Sequence, residues 1–274
     1  MILLNSNVPA LEADKQVTDS HIKEFRKNGH VLIPDILNAD EVSAYREVIN
    51  KAANQYNTER RKLIERDTYG KAFLQIMNLW EVDENVKKFT LAKRMAKIAA
   101  DLLGVENVRI YHDQALYKEP GGGFTPWHQD QYYWPVDTNN TITMWMPLID
   151  ITAEMGMLTF ASGSQNTGSA ENIAISDESE AMLERFVKDK GFEISRSQSM
   201  KAGDASWHYG WTLHSAPGNQ SEDIVREVMT IIYIADGSHI IQPQNKHQEN
   251  DRKRWLCSLE PGEPVASKLN PLLL

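Results

Sequence analysis

From Val105 onward the chain reads as short runs of β-branched and aromatic residues separated by Gly, Pro and Asn clusters, as in VRIYHDQALYKEPGGG, TITMWMPLID and EVMTIIYIADG. Such runs, bounded by turn residues, predict a β domain. TITMWMPLID alternates, so Ile142, Met144, Met146 and Leu148 share one face of a strand and Thr141, Thr143, Trp145 and Pro147 the other. One helix is expected to interrupt the strands, from about Asp177 to Lys190, ahead of Gly191.

The first third predicts helices. Thr18 can cap a segment with Ile22, Phe25 and Arg26 at helical spacing, and Gly29 stands where that helix stops. After a short strand, Asn38 and Glu41 form a capping box ahead of an apolar stripe of Val42, Tyr45, Val48 and Ile49. A further helix is expected from about Asn85 through Leu103, closed by Gly104. There is no repeat, low-complexity tract or linker, and 274 residues fit one large domain.

Composition then removes several function classes. Hydrophobic residues at 41% and charged residues at 24% are those of a folding globular chain. Acidic residues outnumber basic ones, 38 to 29, for a net charge of -9, and no dense Lys/Arg stripe offers a nucleic-acid footprint. The runs Arg60-Arg61-Lys62 and Arg252-Lys253-Arg254 are broken by nearby acids and read as solvated surface. A single cysteine, Cys257, rules out an intrachain disulfide and a thiolate-rich zinc site, and fits a reducing compartment. The opening MILLNSNVPALEADK has only a short apolar run, and nowhere do eighteen apolar residues run together, so the expectation is a soluble cytoplasmic protein without a membrane span.

Any metal must therefore be held by His and carboxylate. In FTPWHQDQYYW, His128 and Asp130 are two residues apart, and on an extended strand both point to one face, as ligands of one ion require. H-x-D alone is weak, and His247 with Glu249 repeats the spacing in the polar stretch QPQNKHQENDRKR, where no strand pattern orients them. His214 and Arg226 sharpen the signal. 2-Oxoglutarate needs a metal to chelate and a cation for its far carboxylate, and a guanidinium supplies a planar fork for that group. His214 ends one strand, SAPGNQSED supplies turn residues, and an antiparallel return would bring Arg226 back near His214.

These residues sit in motifs that span nearly the whole chain: VTDSHIKEFRKNGHVLIPDIL, the W-H-Q-D core at Trp127 to Asp130, TITMWMPLID, MGMLTFASGSQ, GDASWHYGWTLHSAPGNQS with the Arg that follows, and the ending PGEP...NPLL. In them the chain resembles the phytanoyl-CoA dioxygenase family of iron(II)- and 2-oxoglutarate-dependent oxygenases. The resemblance implies a mainly β fold, a double-stranded β-helix (a cupin-like jelly-roll) of about 105–240. Helices of about 1–104 would pack outside it, and a segment of about 241–274 would cover the barrel mouth, all within one domain of 1–274.

It also implies iron(II) on His128, Asp130 and His214, and Arg226 on the distal carboxylate of 2-oxoglutarate. Gln114 and Thr143 fall on strands flanking the metal motif as further co-substrate contacts or as partners of neighbouring backbone groups, and Trp145 as packing beside the co-substrate. Molecular oxygen would be the second co-substrate, and succinate and carbon dioxide the by-products of hydroxylating a small apolar metabolite. Relatives with the same ligands desaturate, cyclise or epimerise, and halogenating relatives lack the carboxylate that Asp130 keeps.

On the substrate side, Tyr132 and Trp134 share the parity of His128 and Asp130 if the strand continues. Phe73 and Gln75 belong to a second covering segment, from about Asp67 to Trp80. His208 has the parity of His214 but reads as a hydrogen-bonded core histidine, and His21, His30, His112 and His239 as structural or exposed. Two other classes stay open: a zinc hydrolase would have no use for Arg226, and a non-catalytic jelly-roll binding protein none for the triad.

Overall fold

The computed structural model of the chain describes residues 8–170 and 174–274. The opening run MILL lies outside the described residues. Helix α1 (Asp19–Asn28) begins where the Thr18 hydroxyl accepts the His21 N–H, and ends at Gly29, whose φ of 82° is left-handed. Strand β1 (His30–Ile33) follows, then α2 (Ala39–Tyr56), opened by the expected Asn38–Glu41 capping box.

After the short α3 (Thr68–Ala72) and β2 (Leu74–Met77), the single helix expected over about 85–103 is two, α4 (Glu84–Thr90) and α5 (Lys93–Leu103). The break has a buried cause. The Thr90 hydroxyl donates to Asp113 at 3.0 Å, and the same carboxylate accepts the Leu79 and Trp80 amides, so the end of α4 is tied down and the chain turns at Leu91 and Ala92. No Gly or Pro marks this turn.

The β domain comprises β3 (Val108–Lys118), β4 (Thr125–His128), β5 (Thr141–Pro147), β6 (Ile151–Thr152), β7 (Thr159–Ser162), β8 (Glu193–Arg196), β9 (Ser199–Met200), β10 (Ala205–Tyr209), β11 (His214–Ala216) and β12 (Arg226–Ala235). Helix α6 (Asp177–Lys190) interrupts them at the expected residues, capped by Ser176 and closed by Gly191. The strands pair antiparallel into a large sheet, β1-β10-β5-β12-β3-β2, a smaller one, β4-β11-β7-β8, and the short pair β6-β9. The two main sheets face each other as a jelly-roll.

Alternation on β5 sorts its side chains as expected. Ile142, Met144 and Met146 join the outer core with Met95, Ile98, Ala99 and Leu102 of α5, an i, i+3, i+4, i+7 stripe, while Thr143 and Trp145 look inward. Burying each such aliphatic side chain contributes roughly 1.5–3 kcal/mol. A buried ion pair ties this helical layer together: Arg94 donates two bonds to Glu41, at 2.8 and 2.9 Å, and others to the Ile36 and Ala13 carbonyls.

The stretch around His247 is a helix, α7 (Lys246–Trp255), capped by Asn245, rather than an unpatterned polar segment. It lies across the open end of the barrel, where Asp251 and Trp255 line the cavity. Among the described residues no helix is long and apolar enough to cross a membrane.

Candidate metal centre and its cavity

The space between the sheets is a cavity of about 260 Å³. His128 ends β4 and His214 opens β11, directly opposite one another in register on the small sheet. The expected strand does not run on to Asp130. β4 stops at His128, and a 3-10 turn over Asp130–Tyr133 begins, but Gln129 is still extended (φ -123°, ψ 124°), which is enough to point Asp130 into the same space. Asp130 Oδ1 then stands 3.6 Å from His128 Nε2 and 3.7 Å from His214 Nε2. Ligand-type atoms of these three residues all lie within 4.8 Å of one another.

The far ring nitrogens are held by backbone: His128 Nδ1 donates to the Pro126 carbonyl at 2.7 Å and His214 Nδ1 to that of Thr212 at 2.9 Å. This leaves each Nε2 as the lone-pair nitrogen facing Asp130, the tautomer a metal ligand needs. Burial, aided by the other histidines, brings both imidazoles down to about 4 against the pull of Asp130, so both are neutral at ordinary pH. Burial pushes Asp130 the other way, yet His214, His208 and His128 outweigh it and hold the carboxyl well below its usual range. Two neutral imidazoles and one carboxylate on one side of a cavity suit an octahedral ion that keeps positions open, and this donor set fits iron(II).

Arg226 reaches the cavity by a route other than the expected hairpin return. β11 belongs to the small sheet and β12 to the large one, so the SAPGNQSED turn crosses between sheets and Arg226 faces the triad from the opposite wall. Its side chain is fully buried; one nitrogen donates to the Gly156 carbonyl, Nε has no partner, and the guanidinium lies 5.3 Å from the Trp145 ring. Gly156 is left-handed (φ 81°), and a Cβ there would lie 2.8 Å from the Pro217 carbonyl, so the backbone that receives Arg226 has little room for another residue. Burial brings the guanidinium down only to about 9, and it stays charged. Behind it Lys118 is buried on Gly123 O and Thr125, and burial with Arg226 nearby brings it down to about 6.

The remaining expected residues divide. Gln114, Thr143, Trp145, Trp134, Phe73 and Gln75 all line the cavity. Thr143 donates to Asp130 Oδ2 at 2.8 Å, and Gln114 accepts from Gln75, which in turn accepts from the Tyr69 hydroxyl. Tyr132 does not line it. The 3-10 turn breaks the alternation, so Tyr133 takes the inward place and Tyr132 packs against Tyr133 and His247 instead.

By sequence His208 reads as a core residue and His112 as structural or exposed, and Tyr69 and Asp251 have no assignment, yet all four line the cavity. His112 was readable, since it shares parity with Gln114 on β3. Asp251 carried no signal, because its helix is polar apart from Trp255 at its end. His208 is not the hydrogen-bonded core residue expected: it is 1% exposed, faces inward, and neither ring nitrogen makes a hydrogen bond. Its parity with His214 pointed to the same cavity, and it does face it, though from the opposite sheet.

The phytanoyl-CoA dioxygenase (PhyH) family model matches residues 25–228. The chain is 20% identical to phytanoyl-CoA dioxygenase 1 of Oryza sativa subsp. japonica over 91% of its own length and 97% of that protein's. Among solved structures it is similar to the non-heme alpha ketoglutarate dependent carbocyclase SnoK from nogalamycin biosynthesis, with TM-score 0.78 and 23% identity over 94% of this chain and 97% of that one. The epimerase SnoN, in complex with Fe3+, alpha ketoglutarate and nogalamycin RO, gives 0.76 and 22% over 93% and 98%. EctD from S. alaskensis with bound Fe gives 0.64 and 18% over 86% and 85%. These likenesses share the jelly-roll core, and with a family model covering most of the chain they lead to one conclusion: the chain belongs to the phytanoyl-CoA dioxygenase family of iron(II)- and 2-oxoglutarate-dependent oxygenases.

Proposed function

We propose that His128, Asp130 and His214 hold the iron(II), that Arg226 receives the distal carboxylate of 2-oxoglutarate, and that the enzyme hydroxylates a small organic molecule. The observation that carries this is the placement of a buried guanidinium, with one donor unpaired, across the cavity from the His-Asp-His cluster. A zinc hydrolase has no use for that cation, and a plain binding protein none for the cluster. When bound, the metal would supply oxygen activation coupled to decarboxylation of the co-substrate to succinate and carbon dioxide.

The chain's own residues orient and enclose. Trp145 packs beside Arg226 and narrows the co-substrate's place, Thr143 fixes Asp130, and Gln114 presents an amide already tied to Gln75. Phe73, Gln75, Tyr133 and Trp134 form the substrate side, with α7 closing the mouth. Trp134 and Tyr133 there exclude water, as aromatic walls of small-molecule pockets do. Asp130 retains a carboxylate where a halide would otherwise bind, which favours hydroxylation; cyclisation and epimerisation are the alternatives favoured by the names of the SnoK and SnoN neighbours.

A net charge of -9 and a cavity of about 260 Å³ favour a compact metabolite over an acyl-CoA thioester. We read the chain as one domain, since the outer core joins α2 and α5 to β5, β10 and β12. We also assign it to the cytoplasm, in keeping with its one cysteine, exposed and free.

The test is an anaerobic titration of metal-free protein with iron(II) and then 2-oxoglutarate. The chelate should give a visible charge-transfer band, and more 2-oxoglutarate should be needed to develop it in Arg226→Ala. Absence of the band in wild type, with iron bound, would remove the reading.

A further inference from the structure

Asp130 uses its two oxygens differently. Oδ1 is the atom shared between His128 and His214, while Oδ2 is turned to the opposite sheet, where it accepts from Thr143 at 2.8 Å and stands 3.4 Å from His208 Nε2. His208 is 1% exposed and makes no other polar contact through either ring nitrogen. Its ring is wedged between Phe160, at 5.3 Å between centroids, and His214, at 4.4 Å, so it cannot swing away to find a partner. It is also set by the sheet: His208 lies opposite Thr143 in the β10–β5 register, so the two residues nearest Oδ2 are a cross-strand pair.

His208 is not a fourth ligand in this arrangement. The set of ligand-type atoms within 4.8 Å of one another includes His128, Asp130 and His214 and leaves His208 out. A buried imidazole with no partner costs free energy that a carboxylate oxygen in reach can recover.

Resting on the metal-site reading above, the geometry points to His208 as a positioning residue that, with Thr143, engages Asp130 Oδ2 so that Asp130 meets the metal through Oδ1 alone. The consequence is a count of open positions. A carboxylate free to rotate can bind through both oxygens and close one of the positions that co-substrate and oxygen require, whereas one anchored at Oδ2 cannot. Groups that hold a ligand from behind in this way typically change metal affinity by about 10–100-fold when removed.

The experiment compares His208→Phe, which keeps a ring against Phe160 but has no donor, with His208→Gln, whose amide restores one at similar reach. His208→Asn, too short to reach Oδ2, is the second polar variant should the Phe protein not fold. Each is titrated with cobalt(II) as the probe, alongside wild type and His128→Ala, reading the dissociation constant and the visible ligand-field spectrum. Circular dichroism checks folding.

The expected result is one cobalt per chain in all three His208 variants. Affinity should fall about 10-fold or more in His208→Phe and His208→Asn, with a shifted visible ligand-field band as a second carboxylate oxygen takes the place of a solvent ligand, and both readouts should return toward wild type in His208→Gln. An unchanged affinity and spectrum in His208→Phe overturns the inference, as does a His208→Gln protein that behaves like His208→Phe. If His128→Ala also keeps cobalt unchanged, it is the metal-site reading that falls; if His128→Ala loses cobalt and His208→Phe is silent, only the role of His208 does.

Discussion

The two sheets are built for different tasks. The large sheet has six strands, one of them ten and another eleven residues long, and its outer face is buried under α2, α4 and α5. The small sheet has four strands of three or four residues, and its outer face is covered by α6 through Trp127, Leu183, Val187 and Leu213. Yet the small sheet carries both histidines of the proposed metal cluster. The large sheet supplies the groups that aim at them: Arg226, Thr143, Gln114 and His208. The long-stranded wall holds the far contacts, and two short strands distant in sequence need only one register, His128 opposite His214, to bring the cluster together.

If this division holds, substitutions on the two sides should fail in opposite ways. The largest effect should come from the ligands. His128→Ala, Asp130→Ala and His214→Ala should each abolish stoichiometric iron binding while circular dichroism stays that of wild type, because cavity-lining ligands contribute little packing. His247→Ala, on α7 and outside the cluster, should keep full binding. Metal analysis of the four proteins decides it, and full iron occupancy in any of the first three would end the assignment.

The reverse pattern should appear at the buried pair behind the large sheet. Glu41→Ala strands Arg94 without its bidentate partner and also removes half of the α2 capping box. Breaking such a pair costs roughly 3–5 kcal/mol. Guanidinium denaturation should show that loss, with iron stoichiometry unchanged in the protein that remains folded. A variant that loses iron but not stability would break the comparison.

Arg226 belongs to both sides, since it sits on the large sheet but faces the cavity across from the His-Asp-His cluster. Hydrogen bonds to charged groups contribute about 1.5–3 kcal/mol, and each 1.4 kcal/mol is about one decade in affinity. Arg226→Ala should therefore weaken 2-oxoglutarate binding at least about tenfold, Arg226→Lys by less, and iron affinity little in either. Dissociation constants measured separately for the two ligands test this, and unchanged 2-oxoglutarate affinity in Arg226→Ala would remove the strongest argument against a zinc hydrolase.

Much of this contrast was legible in the sequence, and the reasons for what was not are local. Caps announced α1 and α2 because Thr18 and Asn38 satisfy backbone donors within three residues, Gly191 marked the end of α6, and alternation announced the two faces of β5. The α4–α5 break was invisible because it depends on Asp113, more than twenty residues away in the chain. Tyr132 was misassigned because parity holds only while a strand lasts, and β4 ends at His128. His208 read as a hydrogen-bonded core histidine because its spacing from His214 allows an inward-facing side chain but says nothing about hydrogen-bond partners. The triad was readable for the opposite reason: two of its members lie within three residues, so little tertiary structure intervenes.

The smallest expected effect lies where α6 meets the ligand strand. β4 is an edge strand, paired with β11 on one side only, and the Trp127 amide on its free side donates to Glu180 of α6 at 2.6 Å. Burial and the neighbouring Glu184 raise the Glu180 carboxyl, but this amide bond opposes the shift, so the contact favours the charged acceptor. Glu180→Leu leaves the amide unpaired next to His128 and should cost about 1 kcal/mol, toward the low end for a half-buried group. Glu180→Gln keeps an acceptor oxygen and should recover most of it. Iron stoichiometry should not change in either, because the His128–His214 register is held by β11 and not by the helix. Thermal and denaturant unfolding measure the first part and metal analysis the second. Loss of iron in Glu180→Leu would mean that the small sheet depends on its covering helix to set the ligands, and that the division of labour between the sheets is less complete than the register implies.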